Sequence, residues 1–454
     1  MKRLIKNKKK IVIVGGGISG LAAAYIAGKN DWDVTVLEAS PNVGGLLNTF
    51  EIGGSKLEFF YHHFFTHDAE LLWLLKDLNI EDKILFEKGT MGFYRNGKIY
   101  NFNSPQDILK FKPLSFSEKI RFGLTSVYLA RFCKWEKMES VPALDWFYKY
   151  AGKGVTDSIW KPMIDVKFGY YAKDVPAAWM VGRLAQRLNS RKEGEEKLGY
   201  LRGSLSEMLD ALLMVFKQMK IRIVTNAKVE KFQMKNNALV AVKTSQGIFK
   251  GDAFLSTIPT HFLAGIIDPI NKRYADNLRK IEYFGAVCTI IETKKKVSPV
   301  YWLNVADPGF PFGGVIEQTN LVPAKNYNGS HIIYLSRYFS SHDDIFSMDK
   351  KQIEKVMMNG FYKLFPKVKK SDIKKVYLFK TNTAATVCDL NFSQKVPKIK
   401  SPIKNLYIGA MPHIYPDERS CNNSVRVAAE VCEIIGMDSS FVPNNQSLSG
   451  RVGK

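Results

Sequence analysis

A glycine-rich turn near the start of the chain has the residue types and spacing that bind phosphate. Gly15, Gly17 and Gly20 form a G-x-G-x-x-G pattern between a β-branched run and a run of small and apolar residues. The first glycine allows a tight turn, the second lets the backbone approach a pyrophosphate, and the third lets a helix pack closely on a strand. Ile18 and Ser19 would occupy the first turn of that helix, whose N-terminus attracts phosphate. The pattern therefore predicts a dinucleotide-binding turn.

The elements on either side of this turn fit a parallel sheet. Residues 11–14 are all isoleucine or valine, which is typical of a strand buried on both faces. Residues 21–27 favour a helix, and residues 33–37 predict a second strand. Glu38 follows that strand, eighteen residues after Gly20. A carboxylate at this distance accepts hydrogen bonds from ribose hydroxyls and disfavours a 2′-phosphate.

The residues that come next indicate which dinucleotide is bound. Gly44, Gly45 and Leu46 lie in a segment that resembles the glycine pair of the flavin amine oxidase superfamily. That superfamily includes protoporphyrinogen oxidases, phytoene desaturases and, more distantly, UDP-galactopyranose mutases. The resemblance implies that the cofactor is FAD. Many members have a cofactor-contacting arginine where this chain has Leu46, so backbone groups would serve in its place.

Two distant segments resemble further parts of the same cofactor site. The superfamily residue at the position of Val229 contacts the adenine through its backbone, and the segment from Gly409 to Arg419 closes over the flavin. On this resemblance Arg419 would stabilise negative charge as the flavin is reduced, and Asp417 would hold Arg419 or bind the ribityl chain. The alternative is an exposed ion pair that contributes little.

Residues 59–67 form an unusual aromatic and histidine-rich cluster. In the mutase branch a similar segment lies against the flavin. The resemblance therefore implies that His62 or His63 faces the flavin ring or relays a proton. The alternative is that alternate positions face a core and the histidines make structural hydrogen bonds.

The predicted fold class is α/β, with a discontinuous Rossmann-type FAD-binding domain and an inserted, mixed α+β substrate domain. A length of 454 residues suits two domains better than one core. The FAD-binding domain is expected over 1–89, 201–282 and 396–436, the substrate-binding domain over 90–200 and 283–395, and a polar tail over 437–454.

Charge and cysteine usage limit the classes of partner. The chain has 66 Lys and Arg against 43 Asp and Glu, a net charge of +23. The lysines are scattered without the spacing of known nucleic-acid-binding motifs, which disfavours nucleic acid but leaves an anionic membrane surface or an anionic substrate open. The five cysteines form no metal-type cluster, so we expect no metal and a reducing compartment. Oligomeric state is not indicated.

The same reasoning predicts a cytoplasmic protein that is compatible with peripheral membrane association. The basic N-terminal run is followed by only four apolar residues, which is too few for an export signal. No apolar run is long enough to span a bilayer. Residues 111–135 interleave apolar and basic side chains, a pattern that suits either a helix on a bilayer surface or an ordinary domain helix.

The leading hypothesis is an FAD-dependent oxidoreductase whose flavin accepts a hydride from a small, lipophilic organic substrate, as in protoporphyrinogen oxidases and desaturases. Amine oxidation is disfavoured because neither Lys161 nor Lys167 aligns with the lysine that amine oxidases place near the flavin. A sugar-nucleotide mutase is the first alternative and needs a phosphate-binding arginine pair, for which the candidates are Arg183, Arg187 and Arg337. A non-catalytic flavin-binding protein is the second alternative.

Overall fold

A five-stranded parallel sheet contains the glycine turn in a computed structural model, which describes residues 8–192 and 195–443. The strands lie in the order Arg222–Val224, Asp33–Leu37, Lys10–Val14, Ala253–Ser256 and Leu406–Ile408. Ile11 and Ile13 of the middle strand pack into one hydrophobic cluster, and Val12 and Val14 pack into another on the opposite face. Both faces of the strand are therefore buried, as the continuous apolar run predicts. The α/β class is confirmed.

Helices cover this sheet and fix the glycine turn. The helix Ile18–Lys29 follows the middle strand and packs against the C-terminal helix Cys421–Ile435. The remaining helices and strands of this part of the chain are Ala69–Asp77, Ser206–Met219, Thr260–Ile267 and Lys272–Arg279, the hairpin of Thr49–Ile52 with Ser55–Glu58, and the antiparallel sheet of Val229–Lys235, Ala238–Thr244 and Gly247–Lys250.

A second large sheet has seven strands drawn from two distant parts of the sequence. Its order is Ile373–Thr386, Tyr283–Thr293, His331–Phe339, Gly314–Glu317, Trp302–Val305, Met91–Arg95 and Lys98–Asn101. The strand Trp302–Val305 pairs in parallel with Met91–Arg95, which joins the two predicted insertions into one sheet. The helix Lys350–Leu364 covers one face through buried Ile353, Met357 and Phe361.

A helical layer lies between residues 105 and 189. It consists of Pro105–Leu109, Phe116–Arg131, Ala143–Tyr150, a helical run made of Lys153–Val155, Thr156–Trp160 and Lys161–Phe168, and Ala177–Asn189. Phe147 stacks on Trp160 with ring centres 4.4 Å apart, so aromatic packing holds the layer together. The strand Glu195–Leu201 then returns to pair with Phe64–Phe65 and Ile84–Lys88.

Several predicted boundaries differ from the structure. Within the interleaved segment 111–135 a helix begins at Phe116, because Ser115 and Glu118 form a capping box, and it ends at Arg131. Of the predicted polar tail, residues 444–454 lie outside the described part of the chain, whereas Met437 and Val442 are buried. The division into two domains stays a prediction.

Among the described helices, none has the length and apolar content that crossing a bilayer requires.

The helix Ala69–Asp77 begins at a buried carboxylate. Asp68 accepts a hydrogen bond from the N–H of Phe65 at 2.9 Å. Nearby, Asn422 donates to buried Glu70 at 2.8 Å and accepts from the N–H of Leu71 at 2.9 Å. Burial raises the pKa of Asp68 to about 7; the Phe65 N–H opposes this shift and Glu70 adds to it. The contact with Asn422 ties the start of this helix to the C-terminal helix.

The raised pKa of Asp68 predicts a pH-dependent stability. The folded chain holds the Asp68 proton more tightly than the unfolded chain, so this group lowers stability as pH rises from about 4 through about 7. Asp68→Asn removes the titration and keeps an oxygen for Phe65. Between about pH 5 and pH 8, we expect the wild type to lose about 2 kcal/mol of unfolding free energy relative to this variant, as measured by denaturant titration. A pH-independent difference would contradict the assignment.

Candidate functional site

The glycine turn brings the end of a strand against the start of a helix. Gly15 has a φ of +113°, and its N–H donates to the carbonyl oxygen of Leu37 at 2.9 Å. A Cβ at Gly20 would lie 2.0 Å from the carbonyl oxygen of Gly15, whereas a Cβ at Gly17 would meet no atom within 4 Å. The helix begins at Ile18, and no side chain caps its first turn. The open surface beside Gly17 and the uncapped N–H groups fit a pyrophosphate.

Glu38 holds the turn and borders the predicted ribose position. Its carboxylate accepts hydrogen bonds from the N–H of Gly16 at 2.7 Å and from the N–H and hydroxyl of Ser40 at 2.8 and 2.6 Å. Each carboxylate oxygen has further lone pairs that can accept from a ribose. The N–H of Ala227 donates to the carbonyl oxygen of Glu38 at 2.8 Å, so the segment that leads to Val229 lies beside the acidic residue.

The glycine pair packs directly on the glycine turn. The N–H of Gly44 donates to the carbonyl oxygen of Gly16 at 2.8 Å, and Gly44 and Gly45 have φ values of +116° and +58°. A Cβ at Gly45 would lie 3.4 Å from the Cα of Gly17. Leu46 is half-buried against the hydrophobic cluster beneath. Two separate turns thus form one surface of main-chain groups, which suits a ligand that needs close backbone approach.

The C-terminal segment reaches the same edge of the sheet. The N–H of Gly409 donates to the carbonyl oxygen of Ser256 at 2.9 Å. A Cβ at Gly409 would lie 2.8 Å from a methyl of Val431, so this position also requires a small residue. Farther along, Asp417 lies 4.0 Å from the buried guanidinium of Arg426.

The predicted cofactor residues therefore share one edge of the parallel sheet. Gly15, Glu38 and Gly409 each come directly after a strand. The carboxyl ends of parallel strands meet at one edge, where α/β folds bind their ligands. The residues present there fit FAD, which would supply a hydride-accepting ring when bound.

Arg419 belongs to a group of aromatic and basic side chains. It donates from Nη2 to the hydroxyl of Tyr338 at 3.4 Å, and its Nε is buried with no hydrogen-bond partner among the described residues. Burial favours the neutral form of Tyr338, but Arg419 and then Lys167 outweigh it and lower the pKa of that hydroxyl. The cations make Tyr338 a better proton donor.

His62 and His63 are both electrically neutral in this environment. The Nδ1 of His62 lies 2.6 Å from the carbonyl oxygen of Phe60, and burial followed by the charge of Arg419 lowers the His62 pKa to about 3. The Nδ1 of His63 lies 3.3 Å from the hydroxyl of Tyr301. Burial lowers the pKa of His63 to about 3, with Arg187 the next cause. Neither imidazole can serve as a charged acid near neutral pH, and their catalytic role stays a prediction.

A cavity of about 590 Å³ lies between the helical layer and the seven-stranded sheet. Its walls are mainly aromatic and aliphatic; they include Tyr61, Phe93, Phe122, Trp160, Trp179 and Trp302. Polar side chains also line the cavity, among them Lys167, Arg183, Arg187, Glu196, Arg337, Tyr338 and Glu418. Tyr61 and Glu418 come from the two segments that the resemblance places at the flavin. The cavity therefore joins an apolar chamber to the predicted position of the flavin.

The polar group contains more cations than carboxylates. Lys167 donates to Oε1 of Glu418 at 2.7 Å, and Arg183 contacts the other oxygen of the same carboxylate. Arg187 binds Glu196 through both oxygens, at 3.0 and 3.1 Å. Burial lowers the pKa of Lys167 below its ordinary value; the neighbouring Tyr338 opposes this shift and Arg183 adds to it. Lys167 also lies over the ring of Trp179 at 4.3 Å. One further anion would balance the charge of these three cations and two carboxylates.

The sequence named Lys167, Arg183 and Arg187 as separate candidates but did not show that they come together. It offered Lys161 and Lys167 without a means of choosing between them, whereas in the structure Lys161 is exposed and pairs with Asp165. Glu418 and Tyr338 carried no sequence signal apart from the proximity of Glu418 to Arg419. In the parts of the chain that the structure describes, no three metal-ligating side chains of His, Cys, Asp or Glu come together to hold a metal.

Comparisons with known proteins decide the family. Residues 18–387 match the family model described as flavin containing amine oxidoreductase, which spans well over half of the chain. The chain belongs to this family.

Individual relatives match over shorter stretches. The chain is 41% identical over 81 residues to coproporphyrinogen III oxidase from Bacillus subtilis, which covers 16% of this chain and 17% of that protein. It is 52% identical over 44 residues to an L-amino acid oxidase from Cerastes cerastes, which covers 10% of this chain and 8% of that one. The matched stretch is thus under a fifth of either relative's length.

Solved structures share the fold over almost the whole chain. An oxidoreductase from Methanosarcina mazei superposes with a TM-score of 0.74 at 16% identity, covering 93% of this chain and all of that one. A reduced UDP-galactopyranose mutase gives 0.73 at 14% identity, covering 98% and 97%. A putrescine oxidase variant gives 0.72 at 15% identity, covering 94% and 99%. At these identities the likeness shows the fold alone.

Membership of this flavin containing family makes FAD the cofactor of the protein. The predicted resemblance to the flavin amine oxidase superfamily is confirmed. The roles of individual cofactor contacts, from Gly15 to Arg419, stay predictions that the geometry supports.

The backbone contact at Gly20 makes a direct prediction. Gly20→Ala places a Cβ against a main-chain oxygen that cannot move aside, so we expect it to lower stability by about 1 to 3 kcal/mol and to reduce the flavin content of the purified protein. Flavin absorbance per protein and the thermal midpoint measure these effects. Gly265→Ala is the control, since a Cβ there meets no atom within 4 Å. Full flavin content and an unchanged midpoint in Gly20→Ala would show that the contact is unimportant.

Proposed function

We propose that this FAD-dependent oxidoreductase takes a hydride from a lipophilic organic substrate that carries an anionic group. The observation that carries the proposal is the apolar cavity with its cationic cluster. The volume of about 590 Å³ is within the range of small-molecule sites, which are mostly apolar with a few polar groups that fix orientation.

The aromatic walls select an apolar body. Trp160, Trp179 and Trp302 contribute large surfaces to the lining, and burying such surface against a substrate is favourable without directional contacts. A hydrophilic sugar would leave these walls poorly matched and would lose hydration without compensating hydrogen bonds. The cavity therefore favours an apolar substrate over a polar one.

The cationic cluster selects and orients an anionic group. Lys167 and Arg183 share one carboxylate, that of Glu418, so the three side chains together carry excess positive charge in a half-buried setting. Charge-assisted hydrogen bonds to a carboxylate would satisfy this excess and fix the substrate's direction in the cavity.

Porphyrinogens combine these properties, since they carry carboxylate side chains on an apolar ring system. The similarity to coproporphyrinogen III oxidase supports testing them first. FAD supplies the hydride acceptor, and the described side chains bind, orient and exclude water.

A sugar-nucleotide mutase is the second candidate, because Arg183 and Arg187 lie one helical turn apart and both line the cavity. The mutase-like fold is compatible with this reading. Against it, the mainly aromatic and aliphatic walls of the cavity give a hydrophilic sugar few hydrogen-bond partners. The oxidoreductase proposal explains both the apolar walls and the charged cluster of the cavity.

Anaerobic rapid mixing of the FAD-loaded protein tests the proposal. The panel is a porphyrinogen, a polyprenoid, an amine and UDP-galactopyranose. We expect the porphyrinogen or another apolar anion to abolish the visible flavin absorption. Isomerisation of the UDP-sugar by dithionite-reduced protein, with no bleaching by any organic substrate, would overturn the proposal in favour of the mutase.

Gly123 offers a matched test of the cavity itself. It lines the cavity on the helix Phe116–Arg131, and a Cβ there meets no atom within 4 Å. Gly123→Phe should fill part of the cavity and lower kcat/KM for a bulky apolar substrate by about tenfold or more. Gly123→Ala should retain activity and stabilise the helix by about 0.5 to 1 kcal/mol. Steady-state kinetics and thermal melts measure both. Equal kinetics in the two variants would exclude this cavity as the substrate site.

A further inference from the structure

The helix Phe116–Arg131 exposes an apolar stripe to solvent. The stripe consists of Phe116, Ile120, Leu124, Val127, Tyr128 and Phe132, whose spacing places the helical members on one side. Phe116 is 69% exposed, Leu124 68% and Phe132 72%. A contiguous apolar surface of this kind on a folded chain marks an interaction site.

The stripe is separate from the face by which this helix joins the core. Leu129 is fully buried, and Phe122 packs against Trp160 with ring centres 5.3 Å apart. These residues lie on the opposite side of the helix from Leu124. The core contacts of the helix are thus made without the stripe, which is a second apolar face.

The stripe adjoins the entrance of the cavity. Ile120 and Val127 are exposed and also line the cavity, as does the exposed Leu109 on the preceding short helix. Lys119 donates to the carbonyl oxygen of Leu109 at 2.7 Å, which ties the two helices together beside the entrance. A substrate that enters past these residues crosses an apolar surface rather than a polar one.

Exposed cations lie on the same helix and on the residues just before and after it. They are Lys110, Lys112, Arg121, Arg131 and Lys134. On the same helix Glu118 is engaged at the N-terminal cap, where it accepts from Ser115. An apolar helix face with flanking Lys and Arg matches the chemistry of an anionic bilayer surface. Pairing with a second copy would bring the same cations together, so charge disfavours that occupant.

We propose that the stripe docks on an anionic lipid surface, with the cavity entrance facing the bilayer. Phe116, Leu124 and Phe132 would insert among the acyl chains while the surrounding cations contact lipid phosphates. In this orientation an apolar substrate can enter the cavity directly from the bilayer. This consequence rests on the function proposed above. The docking itself does not depend on that function.

Vesicle co-sedimentation of the full-length, FAD-loaded protein tests the docking. Vesicles of equal parts phosphatidylcholine and phosphatidylglycerol are compared with vesicles of phosphatidylcholine alone. We expect strong binding to the anionic vesicles at low salt, weaker binding at high salt because the charges are screened, and little binding to phosphatidylcholine.

Leu124→Glu and a matched control identify the surface responsible. Leu124→Glu should lower the partition onto anionic vesicles by about tenfold or more, because it replaces an inserted apolar side chain with a charge. Met214→Glu makes an equivalent change at a 63% exposed position on the helix Ser206–Met219 and should bind like the wild type. Both variants should retain their flavin and melting temperature, since neither side chain is buried.

Three results would overturn the proposal. They are absence of wild-type binding to anionic vesicles at low salt, equal binding by Leu124→Glu and the wild type, and a lipid-free dimer in light scattering that Leu124→Glu dissociates. Flavin bleaching by a water-soluble substrate tests the catalytic function without lipid. Loss of vesicle binding with normal bleaching would reject the docking alone, and the reverse result would reject the function alone.

Discussion

The close approach of Gly20 to the carbonyl oxygen of Gly15 is the contact on which the cofactor site depends. It lets the helix Ile18–Lys29 start directly at the end of the central strand, with its first N–H groups at the edge of the sheet. Gly44 then packs its backbone on the same turn, and Glu38 fixes the turn by accepting from Gly16. A larger side chain at Gly20 would force these elements apart. The site is thus built mainly from the backbone, and side chains support it.

The charged part of the cavity depends on a different balance, between the burial of its side chains and their charge. Lys167 and Arg183 lie among tryptophan side chains, where an isolated charge is costly, and they share Glu418 as a partner. The shared carboxylate lowers the cost of burying the two cations but leaves the group with a net positive charge. An apolar chamber therefore ends in a place that attracts an anion, and its other end opens beside an apolar surface. The two ends of the cavity therefore differ in chemistry, one being charged and the other apolar.

Local sequence patterns predicted the parts of the fold whose physical requirements are local. The apolar run at 11–14, the glycine spacing and the acid after the second strand all lie within about 30 residues. The start of the helix Lys350–Leu364 is likewise set locally, by the Asp349 cap. The helix Phe116–Arg131 lies within the amphipathic segment 111–135 but is shorter than it. Its interleaved apolar and basic residues did not show which of its side chains are buried.

The sequence by itself determined the dinucleotide-binding turn and, through family resemblance, the FAD cofactor, because those features require particular residues at short spacing. Only the tertiary structure decided which lysine lies in the cavity. Lys161 and Lys167 sit on the same helix, yet Lys161 faces solvent and Lys167 meets Glu418 from the other end of the chain. Likewise, only packing left Leu124 exposed and buried Leu129 on one helix. Contacts between distant segments depend on how whole elements pack, and no local spacing encodes that arrangement.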